Sequence, residues 1–191
     1  SKNQELKSAL LEETPWVLDA QSEAQQKQNI ALLFDLNRMS DERNRTLGIL
    51  ADRQMENGAW SWFPGGQDSW YITQHIVTGL GHLAKLGAYN AEKDQNAAEM
   101  VDKALGYCDK KILEQYRKLE QQVQEGKAKW EDDHLDGMTI QYLYARSFFP
   151  VDRPARELAY YLGQAEKHWL AKGLYQEAML ALALHRNGRP A

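Results

Sequence analysis

The sequence predicts an all-α fold built from antiparallel helix pairs. Leucine (24) and alanine (22), both strong helix formers, far outnumber valine, isoleucine and threonine combined (16), the residues that strands prefer. No stretch alternates apolar and polar residues for long, whereas apolar residues recur at steps of three and four along much of the chain. The short polar breaks between these periodic segments imply helices that fold back on their neighbours.

Residues 1–20 read as an N-terminal extension and 21–191 as about seven helices. The first runs from about Ser22 to Met39, with a stripe of Ile30, Leu33, Phe34 and Leu36. Ser40 reads as the N-cap of a second helix through Leu47, Leu50 and Ala51, ending near Gln54. A loop rich in Gly, Pro and Trp follows from Asn57 to Gln67. Asp68 or Ser69 caps a third helix, with Ile72, Ile76, Leu80, Leu83 and Leu86 facing inward and Gly87 as its stop. Beyond the connector Ala88-Tyr89-Asn90, a long helix spans roughly Asp94 to Glu125. Its seam is Val101, Leu105, Cys108, Ile112, Tyr116, Leu119 and Val123, and Lys110, Lys111, Glu114, Arg117, Lys118 and Glu120 form the solvated face. After a polar break from Gly126 to Trp130, the next helix covers about Asp133 to Phe148 and stops at Pro150. Pro154 occupies the first turn of another, which buries Leu158, Leu162, Ala165 and Trp169. The last, Leu174 to His185, is apolar on nearly every side, which predicts burial on most of them. Ser1 follows no signal sequence and the chain stops just after this helix. It therefore reads as an excised piece of a longer protein, in which a missing targeting segment carries no weight.

With 43% hydrophobic and 26% charged residues in 191, the composition is that of a globular core and not of a disordered tail. A net charge of -4 without any basic block argues against a nucleic-acid partner held through phosphates. The longest apolar run, Ala178 to Leu184, falls far short of the ~20 residues of a membrane span. One cysteine makes neither an internal disulfide nor a Cys-based zinc site. The sequence holds no Gly-x-Ser-x-Gly elbow, phosphate loop or dinucleotide fingerprint.

The most specific string runs from Gln54 through Asn57-Gly58-Ala59-Trp60-Ser61-Trp62-Phe63-Pro64-Gly65-Gly66 into Ser69-Trp70-Tyr71-Ile72-Thr73. Asn57-Gly58 forces a turn, since both residues tolerate positive φ. Trp60, Trp62 and Phe63 then form an aromatic wedge that closes one end of a helical hairpin, each ring able to bury ~150–250 Å². Pro64-Gly65-Gly66 redirects the chain, and Gln54 is placed to hydrogen-bond free backbone groups at the helix ends.

The spacing Gln-x-x-x-Gly-x-Trp, here Gln54, Gly58 and Trp60, resembles the repeat of (α/α) toroid proteins, the terpenoid-cyclase-like barrels. With Trp62-Phe63-Pro64-Gly65-Gly66 and Tyr71-Ile72-Thr73 it resembles more narrowly the thioester-type helical domain of bacterial alpha-2-macroglobulins. Glu13-Thr14-Pro15-Trp16-Val17-Leu18 and the stretch from Tyr175 to Arg186 are similar to that family too. The resemblance implies part of an (α/α) toroid, with no enzymatic activity, cofactor or metal of its own. It implies a place in a large extracytoplasmic protein, periplasmic or outer-membrane anchored, that traps proteases and so inhibits endopeptidases. The partners would be other domains of the parent chain and target proteases. Gln54, Gly58, Trp60, Trp62, Phe63, Gly65, Gly66, Tyr71 and Thr73 would then form a structural or docking loop. Thioester-bearing members crosslink their targets through Cys-x-Glu-Gln. Here Cys108 is followed by Asp109, Lys110 and Lys111, so no glutamine supplies an acyl group and Cys108 forms no thioester.

Other strings carry weaker chemistry. Cys108 lies on the apolar seam, where a cysteine behaves as a small hydrophobe. Asp132, Asp133 and Asp136 have the Asp-Asp-x-x-Asp spacing that prenyl-diphosphate enzymes use for Mg²⁺, but carboxylates at a helix start also complement its macrodipole. A carbohydrate-active toroid enzyme or glycan-binding domain is the alternative function. Trp60, Trp62 or Trp70 would stack on sugar rings, and Glu131, Asp133 or Glu56 would supply the carboxylates. The histidines, His75, His82, His134, His168 and His185, are scattered, and the first two stand too far apart for one metal.

Overall fold

A computed structural model describes residues 23–88, 94–151 and 153–189. They form α1 (Glu23–Arg53), β1 (Trp60–Ser61), β2 (Asp68–Ser69), α2 (Trp70–Lys85), α3 (Gln95–Gln124), α4 (Gly137–Arg146), α5 (Arg156–His168), a 3-10 turn (Trp169–Ala171) and α6 (Leu174–Arg186). The predicted helical character is therefore present, with six α-helices among the described residues where about seven were expected. The expected N-terminal extension, the segment Glu13–Leu18 and the connector residues Tyr89 and Asn90 lie outside the described residues. No described helix is long and apolar enough to cross a membrane.

The chain divides into two compact units, one up to Leu50 and one from Ala51. The described part of the first is α1 as far as Leu50, and that 31-residue helix passes through Ser40 without a break. A serine caps only where the backbone leaves amides unbonded. No Gly or Pro lies between Glu23 and Leu47, and the flanking Arg38, Met39, Glu42 and Arg43 all favour helix. Of the expected stripe, Ile30 is half-buried and Phe34 exposed, while the side chains of Leu33 and Leu36 lie outside the described set.

In the second unit α4 packs against both α2 and α6. Helix α3 lies along α2, and α5 touches α3, α4 and α6. The helices of one row are thus every second one in the chain, and sequential pairing is only part of the packing. Tyr107, Cys108, Ile112 and Tyr116 of α3 meet Ile140, Tyr142 and Leu143 of α4, Leu158 and Leu162 of α5, and Leu180 and Leu184 of α6 in one core. The expected seam of α3 is buried from Val101 to Leu119, and Val123 is half-buried.

Helix ends follow side-chain capping. Ser69 Oγ accepts from Ile72 N (3.3 Å) and Asp94 Oδ1 from Ala97 N (3.0 Å). Gly87 and Gly126 follow α2 and α3 at φ 69° and 70°, the left-handed turn that ends a helix. Helix α4 starts at Gly137, later than predicted, because Asp136 Oδ1 takes Thr139 N (2.7 Å) and is the cap. Pro154 stands before the first turn of α5, which begins at Arg156, and Trp169 opens the 3-10 turn beyond that helix. Helix α6 buries one face only: Met179, Leu180, Ala183 and Leu184 are inside, whereas Leu174, Tyr175 and Leu182 are exposed.

The face of α2 is rotated from the apolar seam read in the sequence. Leu80 is buried as expected, but Ile72, Ile76 and Leu83 are half-buried and Leu86 is exposed. The innermost line is Thr73, Gln74, Val77, Leu80 and Gly81. Polar residues serve there because partners on α4 and its start are in reach. Gln74 Nε2 donates to Met138 O (3.2 Å), and Gln141 Nε2 donates to Thr78 Oγ1 (3.1 Å). At Gly81 a Cβ would come within 2.4 Å of Phe148 Cγ, so glycine sets how closely that ring approaches.

Candidate functional site

The candidate site is the loop between α1 and α2, which lies wholly in the second unit. Its first half is a fastener. Gly58 N donates to Met55 O (2.9 Å) and Met55 N to Ala59 O (2.9 Å), closing a tight turn that Asn57 Oδ1 supports by accepting from Ala59 N (3.1 Å). Gly58 has φ 86°, and a Cβ on it would stand 2.1 Å from Lys103 O, so the loop backbone lies directly on α3. Gln54 Nε2 spans the same contact by donating to Gly58 O (2.9 Å) and to Met100 O (2.8 Å). Trp60 is buried, and its backbone N–H donates to Thr73 Oγ1 (3.0 Å), whose hydroxyl donates to Ser69 O (2.8 Å). A two-residue antiparallel ladder not foreseen in the sequence, Trp60 with Ser69 and Ser61 with Asp68, locks the loop's two ends together.

The second half departs from the expected wedge. Trp62 and Phe63 are 68% and 66% exposed, so of the three rings Trp60 alone is buried. The reason is the turn at Pro64-Gly65-Gly66. Gly66 N bonds Phe63 O (3.0 Å) and Gly65 adopts φ 78°, which throws the tip away from the helices. The outward indole is nevertheless ordered by neighbours. Trp62 stacks on Tyr71 with centroids 5.7 Å apart and planes 11° from parallel, and Tyr71 packs on His75 at 4.2 Å. The His75 ring is held by its Nδ1 at 3.0 Å from Tyr71 O. His75 was not among the predicted loop residues, although its position four after Tyr71 on one helix is the signal that pairs them. The expected residues therefore separate into an inward set (half-buried Gln54 with buried Gly58, Trp60 and Thr73) and an outward set (exposed Trp62, Phe63, Gly65 and Tyr71 with half-buried Gly66).

Beside the loop, Glu56, Asn57, Asp68, Lys103, Tyr107 and Lys110 line a cavity of about 460 Å³. Asp68 Oδ2 accepts from the Tyr107 hydroxyl (2.5 Å) and lies 4.0 Å from Lys111 Nζ. Burial and the Asp68 carboxylate both hold the proton on Tyr107.

The acidic string is spoken for by local structure. Asp132 Oδ2 accepts from Lys129 N (3.2 Å), Asp133 Oδ1 from Leu135 N (3.0 Å), and Asp136 caps α4. Lys172 Nζ reaches Asp133 Oδ2 (2.5 Å) and Leu135 O (2.9 Å). Burial alone would raise the Asp133 pKa, but Lys172 and the Leu135 amide outweigh it and hold the carboxyl below its ordinary value. Among the described residues no group of three His, Cys, Asp or Glu side chains is arranged to hold a metal ion.

Cys108 is buried, and desolvation pushes its thiol up to about 12, with Asp109 adding to the rise and Arg146 opposing it. Asp109 itself is tied across to α4, accepting from the Tyr142 hydroxyl (2.7 Å) and Arg146 Nε (3.2 Å). Of the tryptophans proposed to stack on sugar, Trp60 is buried and Trp70 half-buried against the core, which leaves Trp62. The histidines remain apart: His82 Nε2 sits 3.3 Å from the Tyr144 hydroxyl, and His134 Nε2 is 2.8 Å from Lys129 O. Comparison of this chain with protein-family models, with curated proteins and with solved structures yields no match.

Proposed function

We propose that this chain is a non-enzymatic helical module of a bacterial alpha-2-macroglobulin-like protein that traps proteases, and that it forms an arc of an (α/α) toroid without a thioester. The observation that carries the proposal is the use made of the motif residues. Gln54, Gly58, Trp60 and Thr73, which carry the resemblance, are the residues that fasten the loop onto α3 and α2. The alternation of α2, α4 and α6 in one row, with α3 and α5 beside them, is the packing order an arc of such a toroid requires. The only cysteine has a desolvated thiol and a neighbouring aspartate committed to Arg146, which suits a filler of the core and not an acyl carrier.

In this reading the module is a rigid spacer between neighbouring domains of an extracytoplasmic parent, and loops on such a scaffold are natural contact points for those domains or for a captured protease. The test is a trapping assay on the parent protein with an endopeptidase. Digestion of a large protein substrate should fall while hydrolysis of a small peptide substrate persists, and deletion of residues 51–191 should abolish that difference. Equal loss of both activities, or no loss of either, would refute the reading.

A further inference from the structure

We infer that the outward half of the loop is a binding platform for a neutral oligosaccharide, centred on the exposed face of Trp62. The inference is independent of the protease-trapping reading and concerns binding only. Three rings, His75, Tyr71 and Trp62, form a continuous row: Trp62 is stacked on Tyr71 at 5.7 Å, and Tyr71 lies 4.2 Å from His75 with the planes tilted by 37°. One face of Trp62 is taken by Tyr71 and the other is open, with the residue 68% exposed. An indole held against a fixed neighbour loses little side-chain freedom when a ligand stacks on it, which is what makes an exposed aromatic face a good recognition surface.

The chemistry of the surroundings selects the occupant. From Asn57 to Ala84 the sequence carries one full charge, Asp68, in a chain of which 26% is charged. Asp68 is turned to Tyr107 and Lys111, away from duty in the stack. This stretch therefore brings no lysine or arginine of its own to the platform for a phosphate or acidic peptide, and its one carboxylate is engaged by Tyr107 and Lys111. What it offers is an aromatic face flanked by uncharged hydrogen-bonding groups. The Trp62 indole N–H and the Tyr71 hydroxyl have no partner among the described residues. His75 has Nδ1 engaged at Tyr71 O, which leaves Nε2 for a ligand. A sugar ring needs that combination: C–H groups that pack on an aromatic plane and hydroxyls that require uncharged donors and acceptors at its rim.

Two of the carboxylates considered for hydrolysis have other settings. Asp133 belongs to Lys172, and Glu56 lines the cavity beside α3.

The experiment is a calorimetric and fluorescence titration of the 191-residue chain with cellohexaose, maltohexaose and chitohexaose. At least one hexasaccharide should bind with Kd below about 10 mM and alter tryptophan emission. Trp62→Ala should weaken that binding about tenfold or more while leaving the circular-dichroism melting curve unchanged, because the side chain is outside the core. Tyr71→Phe, which keeps the stack and removes the hydroxyl, should weaken it less. Absence of binding by all three sugars overturns the inference, as does binding that Trp62→Ala leaves intact. Self-association, or capture of a proline-rich peptide, abolished by Trp62→Ala without sugar binding would assign the face to a protein and overturn it equally.

Discussion

Gly58 shows how one missing side chain decides a contact. Its positive φ and the 2.1 Å approach of a Cβ to Lys103 O are separate obstacles, and backbone cannot yield as a flexible side chain can. Gly58→Ala should therefore cost about 2–4 kcal/mol in urea denaturation, and Gly65→Ala, with open space around it, about 1 kcal/mol from φ alone. Equal costs would show that the loop does not rest on α3. Cys108 makes the opposite point, that a reactive atom can be chemically silent. With its thiol pushed up to about 12 and the residue buried, iodoacetamide should label it only after unfolding, and rapid labelling of the native chain would contradict the placement.

Elements here are limited by side chains that claim backbone amides. Asp136, and not the Asp132-Asp133 pair, sets the start of α4, so Asp136→Ala should lower stability by about 1 kcal/mol. Asp132→Ala, at an exposed residue whose bond to Lys129 N is long, should stay within about 0.5 kcal/mol. Thermal denaturation of the two variants checks the order. The two tryptophans of the hairpin divide in the same manner. Trp60→Ala should cost about 3–5 kcal/mol as a core deletion, whereas Trp62→Ala should cost little. In α2 the polar Thr73 and Gln74 are inside while Leu86 is outside, an inversion produced by what α4 and the loop present to that helix.

For the molecule as a whole, two groups give stability opposite pH signs. Asp133 titrates lower when folded, so its pairing with Lys172 contributes fully above the unfolded carboxyl value of about 4 and is lost as the pH falls through the folded value. Tyr160 is pushed up to about 12, chiefly by burial, so the fold holds its proton. That contribution is present below the unfolded value of about 10 and is lost as the pH rises toward 12. Melting temperature against pH should decline at both extremes, with Lys172→Met flattening the acid limb alone. An unchanged acid limb in that variant would remove the pair from the account.

Much of this was legible in one dimension. Helix content, the α3 seam and its start near Asp94, a cap of α2 at Asp68 or Ser69, and the turn at Asn57-Gly58 follow from residue type and spacing, because they depend on contacts within a few positions. The Gln54 bond to Met100 O, the resting of Gly58 on Lys103, the polar inner line of α2 and the outward Trp62 beside the buried Trp60 were not legible. Each depends on what another helix brings to that place. A local pattern states which residues resemble core and which resemble surface. The partners that satisfy a glutamine or leave an indole in water are set when distant segments pack, and a single pass along the chain holds no record of those distances.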